Sequence, residues 1–274
     1  MNTLDKFKLD GKVCVITGGA GLLGIKHAEA LLDAGAMVVL VDINREKLNN
    51  VVVQLSARPG CKSRVGGSNF DITDEESVIS NIQLMWGTIG PISVLINNAA
   101  NCPKLPETRH TRFESFDLRV WQADFDVNVT GAFLMSREIG KRMAQDKGGV
   151  IVNIASDLGI IASDQRIYRQ EGLADDEQPV KPVSYTVTKH ALIGLTKYMA
   201  TYWADKGVRV NSLSPASVYN NQPEDFVQKL TNLIPMGRMS NVDEFKAAIL
   251  FLCSDASSYM TGTNLVIDGG RTCW

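Results

Sequence analysis

The sequence predicts an α/β fold, a doubly wound parallel sheet covered by helices on both faces. Short runs rich in Val and Ile recur without polar alternation, which is typical of strands that are buried on both faces. These runs alternate with longer stretches of helical periodicity, and such alternation produces a parallel sheet. No internal repeat or Pro/Ser-rich linker divides the chain, so residues 1–274 are predicted to form one domain of about seven strands.

The boundaries of the predicted strands and helices follow from these runs and from the capping residues and glycines at their ends. Gly35 and Gly207 follow two predicted helices, at positions where a left-handed residue is favoured. Thr73 precedes an acidic first turn and is predicted to be an N-cap. The predicted strands are residues 13–17, 37–42, 92–97, 150–155, 208–213 and 264–267, with a weaker seventh around 62–71. The predicted helices are residues 22–34, 45–57, 74–86, 116–145, 184–206 and 241–253.

Residues 157–183 form the one long irregular stretch of the chain. The segment is polar, contains Pro179 and Pro182, and is too long for an ordinary connection between a strand and a helix. We therefore expect an inserted loop with a functional role, lying over the substrate site.

Composition narrows the functional class. The 28 Lys and Arg residues nearly balance the 30 Asp and Glu residues, and no long run of one sign occurs, which argues against a nucleic-acid groove or a membrane-binding face. No apolar stretch approaches the roughly 18 residues of a membrane span. The five cysteines lack CxxC spacing, so they are predicted to be free thiols in a reducing compartment and not a metal site. We expect a cytoplasmic protein that acts on a small molecule.

A glycine-rich turn follows the first predicted strand. Residues 17–24 read TGGAGLLG and open a helix, whose N-terminal N–H groups and dipole can bind a pyrophosphate. Glycines also serve ordinary tight turns, but this position in a strand–turn–helix unit favours a dinucleotide site.

The second predicted strand ends in an acid, Asp42. A carboxylate there can accept hydrogen bonds from the adenosine ribose hydroxyls and repels a 2′-phosphate, which favours NAD over NADP. In the alternative interpretation, Asp42 only caps the helix that begins near Asn44.

Two Tyr–Lys pairs have the four-residue spacing that places both side chains on one helix face. Tyr202 and Lys206 fall in the last turn of a helix, where packing and the helix dipole explain them. Tyr185 and Lys189 instead fall in the first turns of the same helix, at the edge where ligands bind to open α/β sheets.

Two further polar residues are candidates for the same site. Ser156 follows the strand predicted at 150–155, which places a hydroxyl at that edge. Asn128 lies within an apolar predicted helix and is followed by Gly131, an unfavourable combination unless the amide has a role.

Together these residues resemble the short-chain dehydrogenase/reductase family over nearly the whole chain. Asn128, Ser156, Tyr185 and Lys189 match its catalytic residues one by one. Residues 97–100 (NNAA) resemble its strand-four motif with Ala100 in place of the usual Gly, and residues 234–238 and 261–270 resemble its C-terminal motifs. The resemblance implies a Rossmann fold and a homo-oligomer, a tetramer or a dimer.

The resemblance also implies a role for each residue. Tyr185 would exchange a proton with the substrate oxygen, which Ser156 would hydrogen-bond, while Lys189 would hold the nicotinamide ribose and favour the tyrosinate. Asn128 would anchor a proton relay. The implied cofactor-binding residues are Gly18, Gly21, Leu22, Leu23, Gly24, Asp42, Asp71, Ile72, Asn98, Ala99, Tyr185, Lys189, Pro215 and Val218. In the alternative interpretation, Asp71 is a turn residue before the third helix.

The sequence departs from the family pattern in three places. The turn glycines have the TGxxGxxG spacing of the longer nucleotide-sugar epimerase and dehydratase branch, although length and C-terminal motifs favour the shorter oxidoreductase branch. Ala216 follows Pro215 where Gly is usual. Ser156 and Tyr185 stand farther apart than the usual dozen or so residues, because residues 157–183 are inserted between them.

The insertion provides the first clue to the substrate. If it is helical, Arg166 and Arg169 share a face and could bind a carboxylate, phosphate or sulfonate; a solvated surface with internal ion pairs is the alternative. We expect a sugar or sugar acid, with substrate candidates Asn101, Asp157, Gln165, Arg166, Arg169 and Asn220, to which Lys104 is added as a nearby polar residue.

The resulting hypothesis is an NAD-dependent oxidoreductase that interconverts a secondary alcohol and a ketone. The alternatives are a nucleotide-sugar epimerase or dehydratase, a 3-oxoacyl thioester reductase, and a dinucleotide sensor without catalysis. Cys102 near the cofactor edge is interpreted as a buried apolar thiol and not as a nucleophile.

Overall fold

The computed structural model of the chain describes residues 2–102 and 112–274 and contains one seven-stranded parallel sheet. The strand order is β3-β2-β1-β4-β5-β6-β7, so the order reverses between β1 and β4. The predicted doubly wound fold is confirmed. The strands are β1 Val13–Thr17, β2 Met37–Val41, β3 Val65–Ser68, β4 Ile92–Asn97, β5 Gly149–Ile154, β6 Val208–Pro215 and β7 Asn264–Ile267.

Successive side chains of each strand enter different layers of the core, which is why the strands are continuously apolar. In β1, Cys14 and Ile16 pack on one face of the sheet, whereas Val13 and Val15 pack on the other. The first face is covered by α1 Leu22–Asp33, α2 Arg45–Ser56 and α8 Lys246–Cys253, and the second by α3 Glu75–Ile89, α5 Ala132–Gln145 and α6 Val183–Tyr202. Apolar burial on both faces is the main stabilising contribution.

The helix predicted over 116–145 is broken. It consists of α4 Leu118–Phe125, a π-helical stretch Asp126–Gly131, and α5. The helix predicted over 184–206 likewise ends at Tyr202, and a 3₁₀ turn, Ala204–Lys206, follows. A helical repeat in the sequence does not distinguish α, 3₁₀ and π turns, which is why both breaks were missed.

A short helix, α7 Glu224–Thr231, was not predicted. It packs on the 3₁₀ turn Gln165–Tyr168 of the insertion. Their contact forms a small separate apolar cluster of Ile167, Leu230, Ile234 and Met239.

Helix and strand ends differ from prediction by a few residues. The N-cap of α3 is Asp74 and not Thr73, because the Asp74 carboxylate accepts from the N–H groups of Glu76 and Ser77. Gly35 and Gly207 have φ of +97° and +72°, the positive values expected after a helix.

In residues 2–102 and 112–274, no helix is long and apolar enough to cross a membrane. The same residues hold no group of three or more His, Cys, Asp or Glu side chains arranged to bind a metal ion. The five cysteines are free thiols, and Cys102 is exposed, so its interpretation as a buried apolar residue was wrong.

Candidate active site

One large cavity of about 1090 Å³ opens at the carboxyl ends of the strands. Its lining begins at the glycine-rich turn after β1, crosses the ends of β4 and β5, and reaches the insertion. Ligands of open α/β sheets bind at this edge, where the strand order reverses. The topology therefore brings the two halves of the predicted site into one space.

The glycine-rich turn is tightly packed and does not tolerate side chains. Gly18 has φ of +59°, and a Cβ there would lie 2.7 Å from Cα of Ala99. A Cβ on Gly24 would lie 2.3 Å from the carbonyl oxygen of Gly18. The N-cap of α1 is Gly21, which makes no side-chain cap, so the helix N-terminus faces the cavity without a capping side chain.

Hydrogen bonds between β1 and β4 hold this turn in place. The Thr17 hydroxyl accepts from the N–H groups of Asn98 and Ala99 at 3.0 and 3.1 Å. The Asn98 amide donates to the carbonyls of Thr17 and Gly18, at 3.0 Å each. The residues flanking the cavity are thus rigidly positioned.

Asp42 lies at the end of β2 and lines the cavity. Its Oδ2 accepts from the N–H of Ala20 at 3.0 Å, and its Oδ1 accepts from the N–H of Asn44 at 3.0 Å. The helix cap itself is Asn44, whose side chain accepts from the N–H of Lys47. The carboxylate therefore ties the glycine-rich turn to the start of α2 and also faces the cavity.

Asp71 is both a turn residue and part of the cavity lining. It lines the cavity, and its Oδ1 accepts from the N–H and the hydroxyl of Thr73 at 2.8 Å each.

Asn128 is buried in the π-helical stretch between α4 and α5. Its Oδ1 accepts from the N–H of Asn101 at 2.6 Å, and its Nδ2 donates to the carbonyl of Asn101 at 3.0 Å and to the Thr188 hydroxyl at 3.2 Å. Asn128 thereby ties the segment after β4 to α6, one residue before Lys189, and does not itself line the cavity.

Ser156, Tyr185 and Lys189 all line the same cavity. Nζ of Lys189 donates to the carbonyl of Ile154 at 2.7 Å, and burial lowers the pKa of Lys189 to about 8. Burial raises the pKa of the Tyr185 phenol, and a hydrogen bond with Ser156 opposes the rise. In the chain by itself, desolvation therefore outweighs the expected influence of Lys189 on Tyr185.

Most of the predicted cofactor-binding residues line this cavity. The cavity lining includes Gly18, Gly21, Leu22, Leu23, Asp42, Asp71, Ile72, Asn98, Ala99, Pro215 and Val218, whereas Gly24 packs beneath the turn.

The substrate candidates separate into two groups. Asn101 and Asp157 line the cavity. Gln165 does not, because it faces a smaller neighbouring pocket and accepts from the N–H of Lys181 at 2.9 Å. Asn220 is also absent from the lining, and its N–H donates to Gln222. Lys104 lies outside the described residues.

Arg166 and Arg169 do not form the predicted anion-binding face. The helical piece ends at Tyr168, and each guanidinium pairs with a carboxylate of its own segment. The guanidinium of Arg166 donates three hydrogen bonds to the Asp164 carboxylate, and Arg169 pairs with Asp175. Neither side chain lines the cavity, so the alternative of a solvated surface with internal ion pairs describes them.

The cavity lining also includes residues that the sequence did not single out for the site. Among them are Tyr168, Lys181, Gln222, Phe226 and Arg271. Arg271 is buried and donates from Nη1 to Oδ2 of Asp157 at 2.7 Å. Its place in the last five residues of the chain offers no motif that would have revealed this role.

Comparison with known proteins agrees with this geometry. Residues 12–168 match the family described as short chain dehydrogenase, and residues 174–272 match the family described as Enoyl-(Acyl carrier protein) reductase. The chain belongs to the short-chain dehydrogenase/reductase family.

Relatives in the family carry several activities. The chain is 34% identical to a D-threitol dehydrogenase of Mycolicibacterium smegmatis, over 97% of this chain and 95% of the relative. It is 30% identical to a 3-oxoacyl-[acyl-carrier-protein] reductase of Aquifex aeolicus, over 97% and 99%. Among solved structures, a gluconate 5-dehydrogenase from Burkholderia cenocepacia in complex with NADP and tartrate is 28% identical, covers both chains fully, and has a TM-score of 0.85.

Proposed function

We propose that this protein is an NAD-dependent oxidoreductase that interconverts a secondary alcohol and a ketone on a sugar, polyol or sugar acid. The observation that carries the proposal is that Ser156, Tyr185 and Lys189 share one cavity with the glycine-rich turn. The similarity to a threitol dehydrogenase and a gluconate dehydrogenase supports the substrate class.

The residues of the cavity fit a nicotinamide dinucleotide. The glycine-rich turn leaves no room for a Cβ at Gly18, and the uncapped start of α1 offers N–H groups to a pyrophosphate. Asp42 offers a carboxylate for ribose hydroxyls, which favours NAD over NADP, and Asp71 and Ile72 flank the adenine end. When bound, the nicotinamide supplies the hydride acceptor or donor.

Proton transfer to and from the substrate oxygen is assigned to Tyr185. Because burial raises the pKa of Tyr185, the phenol is protonated at neutral pH and can donate to a carbonyl oxygen during reduction. In the oxidative direction, positive charge near the ring favours the tyrosinate, and the ammonium groups of Lys181 and Lys189 lie 4.1 and 5.8 Å from the ring centroid. Ser156 holds the reacting oxygen, and Asn128 positions α6 and a proton relay.

We also propose that the enzyme is a cytoplasmic homo-oligomer, a tetramer or a dimer. Helices α5 and α6 expose large apolar side chains, including Phe133, Tyr198 and Tyr202. Tyr198 and Tyr202 stack with centroids 5.8 Å apart, which creates an aromatic surface suited to a second copy. The exposed free thiols Cys102 and Cys273 suit a reducing compartment. Light scattering after size-exclusion chromatography tests the assembly.

The decisive test is Tyr185→Phe, assayed at 340 nm with polyols and sugar acids and with both NAD⁺ and NADP⁺. We expect kcat to fall at least ~100-fold, the usual range for loss of a general acid–base, while NADH still binds. Tyr202→Phe is the matched control, since Tyr202 has the same spacing to a lysine but is exposed. Equal kcat in wild type and Tyr185→Phe would refute the proposal.

A 3-oxoacyl thioester reductase is the second candidate, because of the similarity to the Aquifex aeolicus enzyme. Acetoacetyl thioesters belong in the same assay. Higher kcat/KM for these than for any polyol or sugar acid would favour this candidate, and product of unchanged oxidation state would indicate an epimerase or dehydratase.

A further inference from the structure

Two cationic side chains line the cavity beyond Tyr185. Lys181 belongs to the insertion, and its Nζ lies 4.1 Å from the centroid of the Tyr185 ring. The same ammonium donates to Sγ of Cys102 at 3.4 Å. Within the part of the chain that the structure describes, no carboxylate forms an ion pair with Lys181. The Lys181 ammonium does interact electrostatically with the buried carboxyl of Asp124, whose oxygens accept hydrogen bonds from Asn101 and Ser184.

The second cation, Arg271, is held in place by Asp157. The two side chains are only 4% and 2% exposed, and Nη1 of Arg271 lies 2.7 Å from Oδ2 of Asp157. Asp157 is fully engaged, since its Oδ1 accepts from the Ser156 hydroxyl at 2.7 Å and from the N–H of Leu158 at 2.8 Å. By contrast, Nε of Arg271 is buried without a hydrogen-bond partner among the described residues. An unsatisfied donor on a buried guanidinium is unfavourable and calls for an explanation.

The two cations of the cavity lining differ in how they are paired. Asp157 offsets Arg271, whereas the Lys181 ammonium beside the Tyr185 ring forms no ion pair with a carboxylate among the described residues. The lining also includes the apolar side chains of Phe226, Leu230 and Met239. Apolar surroundings lower the local dielectric and strengthen the attraction for an anion. A neutral polyol would leave the Lys181 ammonium without a directly bonded anion, whereas a carboxylate would supply one.

We propose that Lys181 and Arg271 form an anion-binding subsite that holds a substrate carboxylate next to Tyr185, so that the enzyme prefers polyhydroxy acids to neutral polyols. This inference rests on the proposed function and deepens it. It also transfers the anion-binding role from Arg166 and Arg169, which pair within their own segment, to residues that line the cavity.

The test compares aldonates of four to six carbons with the matching alditols, which differ only by a carboxylate in place of a hydroxymethyl group. Wild type is expected to show higher kcat/KM for the aldonate of each pair. Lys181→Met keeps the length of the side chain and removes its charge. It should lower kcat/KM for aldonates at least ~10-fold more than for alditols, mainly through KM, because only the aldonates lose a charge-assisted hydrogen bond. Lys197→Met, at an exposed position of α6, is the control.

An equal loss for aldonates and alditols would overturn the subsite, because Lys181 would then act on Tyr185 and not on the substrate charge. A wild-type preference for alditols would also overturn it. The second arm needs no turnover of acids: tartrate should inhibit alditol oxidation competitively in wild type and at least ~10-fold less well in Lys181→Met. Equal inhibition of both contradicts the proposal.

The role of Arg271 is tested with the double variant Asp157→Asn/Arg271→Gln. It replaces the buried ion pair by neutral groups of similar size and so avoids leaving one charge unpaired. We expect the ratio of kcat/KM for aldonates to that for alditols to fall toward one in this variant, a ratio that does not depend on any common effect of Asp157 on Ser156. Retention of the full preference removes Arg271 from the subsite. If no alditol or aldonate is oxidised by wild type with either cofactor, the proposed function itself fails. If alditols are oxidised without any preference for charge, only the subsite fails.

Discussion

The two halves of the cavity are built in different ways. The half proposed to bind the cofactor is made at the ends of two paired strands, where Thr17 and Gly18 are joined to Asn98 by neutral hydrogen bonds. The half proposed to bind the substrate joins the insertion to the C-terminal segment through a buried ion pair, Asp157–Arg271. Strand pairing therefore holds the first half together, whereas buried charge holds the second.

Two ion pairs of the insertion differ in how much they are expected to contribute to stability. Asp164–Arg166 and Asp157–Arg271 both involve the insertion, yet the first guanidinium is 83% exposed and the second 4%. Solvent screens an exposed pair, whereas removing one partner of a buried pair leaves a charge in a medium of low dielectric. Three predictions test the difference between the halves, beginning with the largest effect.

Asp157→Ala is expected to lower the free energy of unfolding by about 3–5 kcal/mol, because Arg271 is left buried without a counter-charge. Urea unfolding at a single protein concentration measures it. The control is Asp164→Ala, which should cost only about 0–1 kcal/mol. The hydrogen bond with Arg166 lowers the pKa of Asp164 to about 2. The loss of stability is nevertheless expected to be small, because solvent screens the exposed Arg166 guanidinium. Similar losses in both variants would contradict a substrate half held by buried charge.

Gly18→Ala is expected to lower the free energy of unfolding by about 2–3 kcal/mol, through left-handed strain and overpacking. The added Cβ would lie 2.7 Å from Cα of Ala99. Gly11→Ala isolates the strain, since Gly11 has φ of +73° and nothing within 4 Å of an added Cβ. It should cost about 1 kcal/mol. Weaker NADH binding in Gly18→Ala but not in Gly11→Ala would support the tight turn as the cofactor-binding site. Equal NADH affinity and equal loss of stability in the two variants would refute it.

Lys189, at the junction of the two halves, is expected to make stability depend on pH. Its pKa is lowered to about 8 from 10.5, so between these values the unfolded chain binds a proton that the folded chain has released. Stability therefore rises with pH in this window, whereas below it the cost of burying the charged Lys189 is constant and adds no pH dependence.

Comparison with Lys189→Met isolates this contribution, which is at most about 1.4 kcal/mol per pH unit. Unfolding by urea from pH 7 to 10 should show a shallower rise in the variant. Lys206→Met serves as the control, because Lys206 is exposed at the surface. Parallel profiles for wild type and Lys189→Met would show that Lys189 is not desolvated.

The sequence predicted some residues of the site correctly and others not. It predicted that Ser156, Tyr185 and Lys189 meet at one edge, and they do, because strand ends and the first turn of the next helix are neighbours in any parallel sheet. It did not predict α7 or the break at Asn128, since a short helix and a π turn leave weak periodic signals. It also assigned anion binding to Arg166 and Arg169, because spacing alone cannot reveal that Asp164 and Asp175 neutralise them.

The sequence by itself determined the order of the strands and of most helices, the tight turn at Gly18 and the meeting of the residues proposed for proton transfer. Each of these depends on hydrophobic periodicity or on backbone geometry within a few residues. Only the tertiary structure decided that Arg271 reaches Asp157, 114 positions away in the chain. That pairing depends on which charges are left together once the apolar surfaces are buried, and nothing in the neighbouring residues encodes it.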